Sequence, residues 1–171
     1  MTNSWGRDYD TATLGRARKI SGPILSGELD ISFGSSLDYL ELVQDVSESV
    51  GRLAGFDDDG QYWISLSVRE SVTNAILHGN KQDLAKKVAL SFHFEKHRLV
   101  ICVADEGRGF DESILPDPLD PSNLLKPSGR GIFYVRSFMD EVSYRNLPRG
   151  GWEVRMEKKL KSNQGEQADD D

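Results

Sequence analysis

Three short runs in this sequence combine residue types that can hold and activate a ligand. The first is Glu70-Ser71-Val72-Thr73-Asn74. An acid and an amide four positions apart stack on one face of a helix. An amide oxygen beside phosphate oxygens suits a hard divalent cation such as Mg2+, which keeps several waters and takes few protein ligands. A glutamate one turn away is then placed to orient or deprotonate a nucleophile, provided it lies within hydrogen-bond reach. The competing interpretation is a buried Glu70–Asn74 hydrogen bond with no chemical role. The second run is Asp105-Glu106-Gly107-Arg108-Gly109-Phe110. A carboxylate at a strand end is a fixed acceptor, and Gly107 and Gly109 let the backbone approach a ligand closely. A carboxylate so placed accepts the exocyclic amine of adenine and excludes guanine. A turn aspartate followed by turn glycines is the plainer alternative. The third run, Gly129-Arg130-Gly131, opens a helix. Backbone N–H groups and the helix dipole make an anion site there, with Arg130 or Lys126 adding charge.

These runs need elements to position them. Leu29, Ile31 and Phe33 alternate with Glu28, Asp30 and Ser32, which predicts a half-buried strand closed by Gly34-Ser35-Ser36. Ser35 stands three residues before Asp38, in the manner of a capping box. The helix that follows places Leu37, Leu40, Val43, Val46, Val50 and Leu53 on one stripe and stops at Gly55. Asp57-Asp58-Asp59-Gly60 is a loop or the acidic start of a second helix. That helix, from about Gln61 to His78, carries a broad apolar stripe (Ile64, Val68, Val72, Ala75, Ile76) and a narrower one (Leu66, Leu77). A polar strip of Ser67, Glu70, Ser71, Asn74 and His78 runs between them. A helix that is apolar on two sides is central and buried, and a buried helix does not keep an acid and an amide unless something satisfies them.

After Gly79-Asn80-Lys81, alternation predicts a strand over Val88–Phe94, and the continuous apolar run Leu99–Ala104 predicts a central one ending at Asp105. Residues 106–128 hold three glycine or proline clusters. A loop of that length in a compact domain is usually functional, and it reads as a lid. Ile132, Val135, Phe138 and Met139 mark a third helix. Val142 and Tyr144 open a strand, and Trp152, Val154 and Met156 alternate along the last one. The order is strand, two helices, two strands, lid, helix, two strands. It predicts an α+β fold, a two-layer sandwich with helices on one face of a mixed sheet.

At 171 residues the chain fits one domain, expected as an N-terminal extension (1–21), a folded unit (22–160) and an acidic tail (161–171). With 29% charged and 37% hydrophobic residues it has the composition of a soluble globular protein. The net charge of −7 argues against a nucleic-acid surface. A single cysteine, Cys102, in an apolar run points to a reducing, cytoplasmic setting, and no run is long enough to span a bilayer. The sequence lacks a P-loop, CxxC, HExxH and a nucleophile elbow, and His78, His93 and His97 have no metal-ligand spacing.

Taken together, Glu70-x-x-x-Asn74, Asp105-x-Gly107-x-Gly109 and Gly129-x-Gly131 resemble the three nucleotide-binding boxes of the GHKL, or Bergerat-fold, ATPases. Arg69 to Asn80 and Phe138-Met139-Asp140-Glu141-Val142 resemble, more narrowly, the anti-sigma-factor serine/threonine-protein kinases of that superfamily. The resemblance implies ATP and Mg2+ bound between helices and lid. It implies Glu70 as the base for the attacking hydroxyl and Asn74 as the Mg2+ ligand. Asp105 would recognise the adenine amine, with Gly107 and Gly109 shaping the pocket, and Lys126, Gly129, Arg130 and Gly131 would meet the phosphates. It further implies a sigma factor as partner, an anti-anti-sigma antagonist as phosphoacceptor, and a homodimer. In two places the sequence departs from the family pattern. Gly151-Trp152 stands where Gly-Thr is usual, and Gly129-Arg130-Gly131-Ile132 where Gly-Leu-Gly-Leu is usual. A non-catalytic module of the same fold, sequestering its partner with or without nucleotide, is the alternative.

Overall fold

The structure is a computed structural model that describes residues 26–95, 97–109 and 135–160. The expected N-terminal extension, most of the lid, the Lys126 and Gly129–Gly131 phosphate loop and the acidic tail lie outside the described residues.

Strand β1 (Gly27–Gly34) alternates as its sequence predicts, but its inward face is covered only toward its end: Leu29 is exposed, Ile31 half-buried and Phe33 buried. A 3-10 turn (Leu37–Tyr39) leads into helix α1 (Leu40–Ala54). The expected Ser35 cap is corrected by one residue. Ser36 Oγ accepts the Asp38 N–H at 3.2 Å. Ser35 is buried instead, and its hydroxyl donates to the Lys86 carbonyl. The α1 stripe shifts as well. Val43, Ser47, Val50, Gly51 and Ala54 are buried, while Leu37 and Leu53 are exposed. Small residues hold this seam because α2 comes close: a Cβ on Gly51 would stand 3.2 Å from Gln61 Cα. Gly55 ends α1 in the left-handed region at φ 93°, which glycine adopts without steric cost.

Asp57 caps helix α2 (Asp58–Asn74), its Oδ1 accepting the Gly60 N–H at 2.8 Å, so the acidic triplet is a helix start. Ile64, Val68, Val72 and Ile76 are fully buried and Ala75 nearly so, as the apolar stripe requires. Each such side chain contributes about 1.5–3 kcal/mol on burial. The last turn, Ala75–Gly79, widens to a π-helix. Such turns occur mostly as single bulges and often at functional sites.

Strands β2 (Lys87–Glu95), β3 (Arg98–Asp105), β4 (Glu141–Asn146) and β5 (Trp152–Lys159) complete a five-stranded sheet in the order β1-β2-β3-β5-β4. Every pairing is antiparallel, which corrects the expected mixed sheet. Strands β3 and β4 do run in the same direction, as a long crossover requires, but β5 folds back in a hairpin and inserts between them. The two parallel strands are therefore never neighbours. Val88, Leu90, Phe92, Leu99, Ile101, Val103, Val154 and Met156 join the α2 stripe in one core. Residues 135–138 are helical, and Val135 and Met139 are buried in that core.

The opposite face of β5 departs from its sequence pattern, since Glu153 and Glu157 are buried rather than outward and solvated. Arginines explain this. Arg98 Nη1 lies 2.8 Å from Glu157 Oε2, and Arg155 pairs with the other Glu157 oxygen. Arg145 Nε stands 2.6 Å from Glu153 Oε1, an ion pair without aligned hydrogen-bond geometry.

Candidate active site

Asp105 sits at the last position of β3, where the sheet ends beside the π-turn of α2. It is 6% exposed. Its Oδ1 accepts the Gly107 N–H at 2.8 Å, and the backbone N–H of Trp152 also donates to the carboxylate. Burial pushes the Asp105 carboxyl above its ordinary value, while these two N–H groups and the Lys86 charge pull it back down.

Three glycines make room for this carboxylate. A Cβ on Gly79 would overlap the carboxylate itself. One on Gly107 would overlap the Gly79 carbonyl. Gly151, at φ 98°, brings β5 so close that a Cβ there would overlap the Asp105 carbonyl oxygen. Gly109 follows at φ 82°, with its own Cβ position taken by Asn146 Oδ1. The glycines of the second run are thus required by close approach and backbone conformation, beyond what an ordinary turn demands.

Glu70 and Asn74 lie on α2, both half-buried. Neither side chain makes a hydrogen bond among the described residues, so the buried Glu–Asn pair offered by the sequence does not form. On the same strip the Ser67 hydroxyl is buried without a hydrogen-bond partner among the described residues, whereas Ser71 Oγ donates to the Ser67 carbonyl at 2.8 Å. His78 is exposed on the π-turn. From Glu70 to Gly79, where α2 meets Asp105, the helical rise spans about 13 Å. The strip therefore leads from an unpaired acid and amide to a buried carboxylate. Lys126, Gly129, Arg130 and Gly131 lie outside the described residues.

Asn80 is a site residue that pattern reading passed over as a helix end. It is fully buried, and its amide nitrogen donates to Ser35 Oγ at 2.7 Å and to the Lys87 carbonyl at 2.9 Å. Its amide oxygen accepts the Glu106 N–H at 2.8 Å. One side chain thereby ties the end of α2 to the ends of β1, β2 and β3. Next to it, Lys81 and Gln82 both adopt φ 58°, uncommon for residues with side chains. The available sequence signal was a Gly-Asn pair directly after a helix with a polar strip.

Two aromatic pairs stack among the described residues. Trp63 on α2 stacks on Phe138 with ring centroids 3.3 Å apart. Trp152 stacks on Tyr144 at 5.8 Å and 23°. Among the described residues no group of three His, Cys, Asp or Glu side chains is arranged to hold a metal. Nor is any described helix long and apolar enough to cross a membrane.

Residues 33–158 match the family described as the histidine kinase-like ATPase domain. The anti-sigma F factor of Bacillus subtilis (strain 168) is 36% identical over 101 residues, which is 57% of this chain and 68% of that protein. The serine-protein kinase RsbW of Bacillus cereus (strain AH820) is 25% identical over 121 residues, 67% of this chain and 75% of that protein. A crystal structure of the RsbU and RsbW domains of a Mycobacterium tuberculosis protein superposes with a TM-score of 0.58 over 78% of this chain, at 15% identity. This chain spans 32% of that one, and the likeness is one of fold.

Proposed function

Because the chain belongs to the histidine kinase-like ATPase domain family, we propose that it is an ATP-dependent anti-sigma factor. In this reading it sequesters a sigma factor and phosphorylates a serine or threonine of an anti-anti-sigma antagonist protein. Its catalytic unit is residues 22–160, acting as a homodimer. The observation that carries the reading is the buried Asp105 carboxylate in its glycine cradle, at one end of a helix strip whose Glu70 and Asn74 are unpaired.

The residues suit the chemistry. Asp105 accepts the adenine amine, and Gly107 and Gly109 leave space for the base. Asn74 would offer an amide oxygen to Mg2+, a hard cation that needs few protein ligands, and among the described residues no group of three acidic, histidine or cysteine side chains competes for that role. When bound, the ion neutralises charge on the transferred phosphoryl group. Glu70 takes the proton of the acceptor hydroxyl as that oxygen bonds to the γ-phosphorus and ADP leaves. Lys126, Gly129, Arg130 and Gly131 hold the phosphates. Calorimetry tests the first step. ATP is expected to bind with Mg2+ dependence, and Asp105→Asn to weaken binding by at least about ten-fold, the order of one charge-assisted hydrogen bond. Glu70→Gln is expected to keep that affinity and lower phosphorylation of the antagonist by about 100-fold or more. Phosphorylation by Glu70→Gln at the wild-type rate would overturn the kinase assignment.

A second reading, a partner-binding module that needs no nucleotide, is favoured by one observation: an indole, Trp152, stands beside Asp105 where the resemblance expects a threonine. Partner binding that is unchanged without ATP and in Asp105→Asn would establish it.

A further inference from the structure

The register of β3 and β5 places Ala104 opposite Glu153, so Asp105 and Trp152 are the next cross-strand neighbours. Both continue the helix-facing sides of their strands: Asp105 follows Ile101 and Val103, and Trp152 precedes Val154 and Met156. The Trp152 backbone N–H donates to the Asp105 carboxylate, which fixes this neighbourhood. The indole is half-buried and stacks on Tyr144 at 5.8 Å and 23°, a normal aromatic separation. The Arg136 guanidinium lies over the Tyr144 ring, 5.6 Å from its centroid, so a cation also holds this ring. Gly79 and Gly107 crowd the carboxylate and Gly151 crowds the Asp105 backbone carbonyl, and none of the three has a side chain. A large, braced, partly open aromatic surface therefore adjoins a buried acceptor at the rim of the sheet.

We propose that the Trp152 indole, backed by Tyr144, is a stacking wall for the nucleobase whose exocyclic amine Asp105 accepts. This rests on the reading of Asp105 as the base-recognising group and adds a second determinant to it. The carboxylate selects the edge of the base, and the indole grips its face. Tyr144 and Arg136 are positioning residues that keep the indole from rotating away.

The test is calorimetric titration of ATP into the full-length wild type, Trp152→Ala, Trp152→Phe and Asp105→Asn, with thermal melts to confirm that each variant is folded. Removing the indole is expected to weaken ATP binding by about ten-fold, the order of one base stacked on an aromatic ring. Phenylalanine is expected to restore most of the loss, which a purely structural role for the indole N–H would not allow. Binding by Trp152→Ala as tight as or tighter than wild type, with Asp105→Asn still weak, would overturn the stacking wall and leave the nucleotide site standing. Equal losses in Trp152→Ala and Trp152→Phe would also overturn it. A wild type that binds no ATP would overturn both.

Discussion

At the scale of single residues, Asp105 concentrates the site's tension. A carboxylate 6% exposed is held by two N–H donors that only partly offset its burial, so its carboxyl titrates above the ordinary value. A carboxyl raised in the folded state binds its proton more tightly there than in the unfolded chain. Its ionisation therefore destabilises the fold as pH rises from the unfolded value through the folded one. Asp105→Asn removes that ionisation while keeping an oxygen for the Gly107 N–H. The melting temperature of the variant relative to wild type is expected to rise as the pH is raised through the ordinary carboxylate range and to level off above the folded value. A difference that stays constant over that range would show that Asp105 is not strained. Glu70 and Asn74 pose the complementary case, polar groups left without side-chain partners among the described residues, which a bound ligand would satisfy.

At the scale of elements, the site exists because α2 ends where three strands end. The acidic cap and apolar stripe of α2 are local features, and both were legible in the spacing of its residues. Its last turn was not. The widening to a π-turn and the contact of Gly79 with Asp105 depend on what the helix meets. Asn80 holds that junction with three hydrogen bonds from one fully buried side chain. Asn80→Ala is expected to destabilise the protein by about 2–4 kcal/mol, because Ser35 just beyond β1, Lys87 in β2 and Glu106 just beyond β3 lose their bonds at once. The same variant should weaken ATP binding, since Glu106 and Asp105 are adjacent. Chemical denaturation measures the first effect, and a loss below about 1 kcal/mol would demote Asn80 from hub to bystander. Along α1, Gly51 and Ser47 show the reverse of the usual stripe logic. The helix buries Ser47, Gly51 and Ala54 beside Val43 and Val50 and exposes Leu42 and Leu53, and at Gly51 α2 approaches too closely for a side chain.

At the scale of the whole molecule, the sheet separates two regimes. One face meets the helices over a dry core. The other carries the Glu157, Arg98, Arg155, Glu153 and Arg145 network. Burial alone would push the Glu157 carboxyl up, but Arg155 and Arg98 outweigh it and hold the carboxyl below its ordinary value. A depressed carboxyl contributes stability above its unfolded pKa and loses it as pH falls through the folded value. Arg98→Ala is therefore expected to lower the melting temperature at pH 7 and to cost progressively less as the pH is lowered past the ordinary carboxylate range. Thermal melts across that range decide it. A pH-independent effect would assign Arg98 to packing over the sheet rather than to charge.

Sequence alone determined the alternation of β1, β2 and β5, the two-sided helix α2, the end of β3 at Asp105 and the chemical types along the polar strip. These depend on residue period and residue type, which are local. Only the tertiary structure decided the all-antiparallel order, because the insertion of β5 between β3 and β4 is a long-range choice among pairings that the strands would each accept. It also decided that Ser35 faces inward while Ser36 caps, that Glu153 and Glu157 are buried under arginines, and that Gly79, Asn80, Gly151 and Trp152 converge on Asp105. Each of those outcomes is set by a neighbour distant in the chain, and no periodicity within a single segment encodes it.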